Sequence, residues 1–134
     1  MNTVNFYDKE RNLIIQLKDF QFFNTDVLKI VSFTGLVNFD FFKFETNFEA
    51  EEFDFKNLIL SLEKLYNGTQ KFVSFNPLSG KIFLELFEEN GQIKVKCEIY
   101  NDLSTAKMEL RYYTDQSFIP ELLKEIETMM KDNR

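Results

Sequence analysis

Apolar residues recur along this chain with two different periods. Two segments carry them three and four positions apart. The first follows Glu51-Glu52 and places Phe55, Leu58, Ile59, Leu62, Leu65 and Tyr66 on one face, the stripe of a helix buried on one side. Asp54 is its expected cap, the acidic residues at its start suit the helix dipole, and Asn67-Gly68 supplies the stop. The second opens at Asp115-Gln116-Ser117, with Pro120 tolerated in the first turn. Its stripe is Phe118, Leu122, Ile126 and Met129, supported by Ile119, Leu123 and Met130.

Elsewhere the period is two, that of strands. The clearest stretch runs from Lys81 to Tyr113. Asn90-Gly91 marks a two-residue hairpin, because both residues tolerate positive φ. Closing the chain there sets Ile82 opposite Ile99, Leu84 opposite Cys97 and Leu86 opposite Val95 on one face. On the other face Glu85 meets Lys96, and Phe87 lies against the stem of Lys94. A second turn at Asn101-Asp102-Leu103-Ser104 sets Glu98 against Lys107 and Lys96 against Glu109, while Ala106, Met108 and Leu110 continue the apolar face. Upstream, Phe72 to Phe75 reads as a short strand ending at Asn76-Pro77. Val4 to Tyr7, Leu13 to Phe20, Leu28 to Leu36 and Phe39 to Phe48 complete the set.

The order is therefore strands, helix, strands, helix. It predicts an α+β fold, with one curved antiparallel sheet of about six to eight strands and two helices gathered on one face or at its ends. A doubly wound parallel sheet would need helices alternating with strands throughout. No internal repeat, low-complexity linker or composition break divides the chain, and residues 1–134 are expected to form a single domain.

Composition narrows the chemistry. The chain has no His, so the commonest general base and metal ligand are both missing. The lone Cys97 has no partner for an internal disulfide or a zinc site, and its place between Val95 and Ile99 marks it as a small buried hydrophobe. Met1-Asn2-Thr3-Val4-Asn5 lacks a basic region ahead of an apolar run, and no window reaches the ~20 apolar residues of a membrane span. These features predict a cytoplasmic protein that neither inserts into membranes nor, at a net charge of −6, binds nucleic acid.

No motif of an enzyme emerges. Gly35, Gly68, Gly80 and Gly91 stand alone, so there is no glycine-rich phosphate loop. Asn76-Pro77-Leu78-Ser79-Gly80-Lys81 lacks the first glycine and the final hydroxyl of such a loop and reads as a turn. Glu45, Glu49, Glu51, Glu52 and Asp54 crowd together, but in a polar stretch rather than the apolar cleft that raises carboxyl pKa values for acid-base work. They also lack the spacing and glycine of a calcium loop. The expectation is a protein without catalytic residues, cofactor or metal.

One segment suggests a partner. In Asn38-Phe39-Asp40-Phe41-Phe42-Lys43-Phe44 the aromatics are either a strand buried on both faces or an exposed patch for a partner or a second copy of the chain. From Asn38 to Asp54, six acidic residues stand against Lys43 alone, a net of five negative charges out of the chain's six. Acid flanking aromatics suits a basic protein partner, which makes Phe39, Phe41, Glu45, Glu49, Glu51 and Glu52 the candidate binding residues.

The stretch Phe53 to Gly68, the strand Lys81 to Phe87, the turn Asn90-Gly91 and the helix opening Asp115-Gln116-Ser117-Phe118-Ile119-Pro120 together resemble the WapI-type immunity proteins of bacterial contact-dependent toxin systems. The resemblance spans about residues 25–132 and consists of hydrophobics and turns. It implies a small intracellular protein that neutralises a cognate toxin by binding it; the Phe-rich face is compatible with either a monomer or a homodimer. Asp115-Gln116-Ser117 caps a helix and is not carried over as a binding motif. Without the resemblance, a Phe-lined sheet under helical lids also fits a protein that binds a small apolar ligand.

Overall fold

Period-two alternation becomes antiparallel pairing throughout the chain. Residues 2–77, 79–101 and 103–132 are described by a computed structural model; Leu78 and Asp102, in two of the expected turns, lie outside the described residues. The first four strands are β1 (Val4–Tyr7), β2 (Leu13–Asn24), β3 (Lys29–Phe39) and β4 (Phe42–Glu51), followed by helix α1 (Glu52–Tyr66). Then come β5 (Phe72–Phe75), β6 (Ile82–Glu89), β7 (Gln92–Tyr100) and β8 (Lys107–Thr114), followed by α2 (Phe118–Asp132). The α+β class and the order strands, helix, strands, helix are as expected.

The eight strands form two sheets rather than one curved sheet, in the orders β1-β2-β3-β4 and β5-β6-β7-β8. Each half thus repeats the same plan of four strands and a helix, a repeat of topology that the residues themselves do not display. Alternation in each sheet puts one face inward. Val31, Phe33, Val37, Phe48 and Ala50 from the first sheet, and Leu84, Leu86, Val95, Cys97 and Ile99 from the second, enter one continuous buried cluster with both helices.

Phe55 of α1 is fully buried and joins the two sheets. Its ring centroid lies 5.6 Å from that of Phe33 in the first sheet and 5.1 Å from that of Phe75 in the second, within the range of favourable aromatic pairs. Phe33 in turn meets Phe48 at 5.5 Å. That ring lies over Gly35, where an added Cβ would come 2.5 Å from Phe48 Cε2.

The helix ends follow the expected chemistry with one exchange of roles. The cap of α1 is Glu51 rather than Asp54; Asp54 lies inside the first turn and its Oδ2 accepts the Glu51 N–H at 2.8 Å, the reciprocal arrangement of a capping box. Gly68, at φ 83°, ends the helix. At α2, Asp115 Oδ1 accepts the Ser117 N–H at 3.0 Å. This helix lies along β1, where Phe118 meets Phe6 and Tyr7. Glu125 accepts the outward Asn5 N–H at 2.8 Å, so the edge of β1 is sealed.

The Asn90-Gly91 hairpin has the expected register, with Ile82 opposite Ile99 and Glu85 opposite Lys96. The next pairing is shifted by two residues: Glu98 faces Glu109 and Lys96 faces Arg111, not Lys107 and Glu109. Asn101 causes the shift. Its N–H donates to the Ala106 carbonyl, and its Oδ1 accepts the N–H groups of Thr105 and Ala106, so the loop is longer than the sequence suggested. A two-residue slip keeps every side chain on its face, and Met108 and Leu110 still point inward opposite Ile99 and Cys97.

Three outcomes follow for stability and reactivity. Phe55→Ala is expected to cost about 3–5 kcal/mol in chemical denaturation, whereas Phe41→Ala, at a fully exposed turn, stays within about 0.5 kcal/mol. Gly35→Ala should cost about 1–3 kcal/mol through overpacking against Phe48, and Gly35→Ala combined with Phe48→Leu should recover part of that loss. Burial, aided by the nearby Glu98 charge, pushes the Cys97 thiol up to about 12. It is therefore expected to resist iodoacetamide at pH 8 in the folded protein and to react at once in denaturant.

Candidate functional site

The Phe-rich run does not form one strand. Asp40 and Phe41 make a two-residue turn closed by Phe39 opposite Phe42, and Asp40 takes a φ of 54°, a conformation Asp tolerates better than most residues. The run is therefore the tip of the β3–β4 hairpin. Inward-facing positions of β3 and β4 end at this tip in Phe39, Phe42 and Phe44. Beyond Val37 the core stops covering them: Phe39 and Phe44 are half-buried and Phe42 is 65% exposed. Phe41, in the turn itself, is fully exposed.

Across from this tip runs the first half of β8. Together they bound a groove of about 600 Å³ lined by Phe39, Phe42 and Phe44 on one wall, with Met108 and Leu110 on the other. Asp40, Lys107, Glu109 and Arg111 form its polar lining. The groove is the uncovered end of the interior between the sheets, which accounts for its aromatic wall. Arg111 Nη2 donates to Glu109 Oε1 at 2.9 Å, and Lys107 Nζ lies 3.9 Å from Glu109 Oε2. Desolvation pushes the Glu109 carboxyl up, but the Arg111 hydrogen bond and the charges of Lys96, Arg111 and Lys107 hold it below the usual carboxylate range. Lys107 and Arg111 share the single carboxylate of Glu109, so this wall keeps one net positive charge, with Asp40 across the groove.

The acidic candidates separate into two groups. Glu45 and Glu49 are exposed on β4, on the face turned away from the core. Glu51 and Glu52 are taken up by the start of α1. Glu51 is the cap, and Glu52 is buried with Lys56 Nζ 3.4 Å from its Oε1. These two therefore do not contribute to an exposed surface with Phe41, because helix capping at the β4–α1 junction draws them inward. Among the described residues, no group of three or more His, Cys, Asp and Glu could hold a metal ion, and no helix is long and apolar enough to cross a membrane. Between β5 and β6 the Gly80 N–H donates to the Pro77 carbonyl.

Phe39, Phe41, Glu45 and Glu49 thus lie on one hairpin, but Phe39 is half-buried on its inward face, Phe41 is exposed at the turn, and Glu45 and Glu49 are exposed on the outward face. Sequence reasoning missed Phe42 and Phe44 as groove residues, although both lie in the run it singled out. It also missed the β8 wall, which no local pattern signals.

Comparison with known proteins gives one decisive likeness. The model of the family described as "Immunity protein WapI-like family" matches residues 6–133. No curated protein matches significantly. Among solved structures, that of the plant transcriptional regulator PBF-2 aligns at 10% identity and TM-score 0.45, covering 96% of this chain and 78% of that one. A structure titled for MRP1/MRP2 of Trypanosoma bruciei aligns at 9% identity and TM-score 0.47, covering 98% and 83%. At that identity and TM-score, neither structure bears on what this chain does. The family match covers nearly the whole chain, and the chain belongs to the WapI-like immunity protein family.

Proposed function

We propose that this protein neutralises a cognate bacterial toxin domain in the cytoplasm by binding it directly, without catalysis, through the surface around the β3–β4 hairpin. Membership of an immunity family supports the class of function. The observation that supports the location is the exposure of Phe41 and Phe42 at the hairpin tip, with Glu45 and Glu49 exposed on the opposite face of the same strand. Large aromatics are anchors of protein interfaces, and a monomer with nothing to bind gains no stability from displaying them in water. The acidic rim would steer a basic toxin domain into register and speed association.

The groove of about 600 Å³ supports a second reading, in which a small apolar ligand occupies the space beside Phe39 and Phe44. A lipid co-purifying with the protein would favour that reading.

The test is rescue. The C-terminal domain of a large secreted protein encoded immediately upstream should stop growth when expressed alone and be tolerated when co-expressed with this chain. The expected complex is 1:1 and weakens as salt screens the rim. Glu45→Lys with Glu49→Lys should weaken binding at least about tenfold, and Phe41→Ala with Phe42→Ala more, each without loss of fold by circular dichroism. Growth arrest unaffected by co-expression would remove the immunity reading. Binding indifferent to salt and to the two lysine changes would remove its electrostatic part.

A further inference from the structure

β4 is the outer strand of the first sheet and β8 that of the second, and the groove lies between them. The opposite edge of the first sheet is closed, since Glu125 of α2 takes the outward N–H of β1. The backbone of β4 is left open in a defined pattern. The hairpin closes with Phe39 opposite Phe42 across a two-residue turn, so these two residues exchange ladder hydrogen bonds and alternate pairs follow suit. Phe42 and Phe44 therefore bond to β3, while the N–H and C=O groups of Lys43 and Glu45 point outward. Glu51, of the same parity, confirms the pattern: its N–H is free of the ladder and donates to Asp54.

We infer that this edge accepts an extended segment of the protein partner as a further strand, paired with Lys43 and Glu45, with an apolar side chain facing the groove and a basic one facing Glu45. The alternation follows from the geometry of a strand. A side chain opposite Phe44 enters the groove between Phe42, Phe44, Met108 and Leu110. Its neighbours in sequence fall on the outer face, the one opposite Glu45 beside an exposed carboxylate and the one opposite Lys43 beside an exposed ammonium. Main-chain bonds supply affinity without regard to sequence; the groove and the acidic face supply the choice of segment. The inference deepens the reading of the chain as a toxin-binding protein and rests on it for the partner's identity.

A toxin is not needed for the test. The probe is an acetylated, amidated heptapeptide alternating valine with lysine, together with a twin carrying N-methyl groups on alternate residues, which keeps the side chains but blocks pairing. Backbone amide spectra of the full chain should show shifts confined to residues 42–46 and 107–111, with slower exchange of the Lys43 and Glu45 amides. The twin should bind at least about tenfold more weakly. Glu45→Pro, which removes one outward N–H at an edge where proline is tolerated, should cost as much. Glu45→Gln, which removes only the charge, should cost about threefold or less. The comparison of the two peptides on the unaltered protein decides the matter even where Glu45→Pro disturbs the fold. Absence of binding, equal binding of the twin, shifts elsewhere, or shifts that depend on protein concentration without peptide would each overturn the strand-pairing proposal. If co-expression rescue succeeds and the peptide fails, strand pairing alone is lost. If the peptide pairs and rescue fails, the identity of the partner is lost.

Discussion

The burial of Phe55 between Phe33 and Phe75 is the contact on which the rest of the structure depends. Each sheet turns one face into the shared core, and neither four-stranded sheet can cover that face alone. The ring of Phe55 is fully buried and touches both sheets. It therefore ties the strands before α1 to those after it. Phe33 and Phe48 pack behind it, and Gly35 leaves the space that Phe48 fills. This joint sets where the sheets meet, and so where they stop meeting. The β3–β4 hairpin runs past the end of the shared interior, and its last three inward aromatics remain partly in water.

Seen this way, the candidate site is a consequence of sheet geometry rather than an addition to it. Phe39, Phe42 and Phe44 continue the inward series of Val31, Phe33 and Val37 on the same face of the same sheet. Their exposure comes from the absence of a covering layer. β8 supplies the opposite wall because its inward residues Met108 and Leu110 reach the same open end. A surface made from the core's own pattern is apolar, rigid and backed by hydrogen-bonded strands. Such a surface needs little ordering when a partner arrives.

Much of the fold was legible from local physics. The Asn90-Gly91 turn fixed one register because positive φ at both residues leaves few alternatives. The two helices were legible because their apolar stripes are one-sided, as in Phe118, Leu122, Ile126 and Met129. The register of β8 was not, since it depends on the Asn101 side chain binding the backbone of Thr105 and Ala106 in place of a tighter turn. The division into two sheets was hidden as well: strands that are apolar on both faces, such as β2, do not say which neighbour they cover. At the site, Phe39 and Phe41 could be singled out by composition, but not that a turn at Asp40-Phe41 separates them. The acidic start of α1 was legible as a helix opening, but not that Glu51 is the cap and Glu52 is buried, because that depends on where the helix begins.

The central claim is that the β3–β4 hairpin and the open end of the shared core beside it meet the toxin. The most direct measurement is hydrogen–deuterium exchange of the chain, free and bound to the toxin domain that it protects against. The account predicts that protection gained on binding concentrates in residues 39–49 and 107–111, while the exposed faces of α1 and α2 exchange as before. Protection centred on either helix, with the β3–β4 tip unchanged, would contradict it.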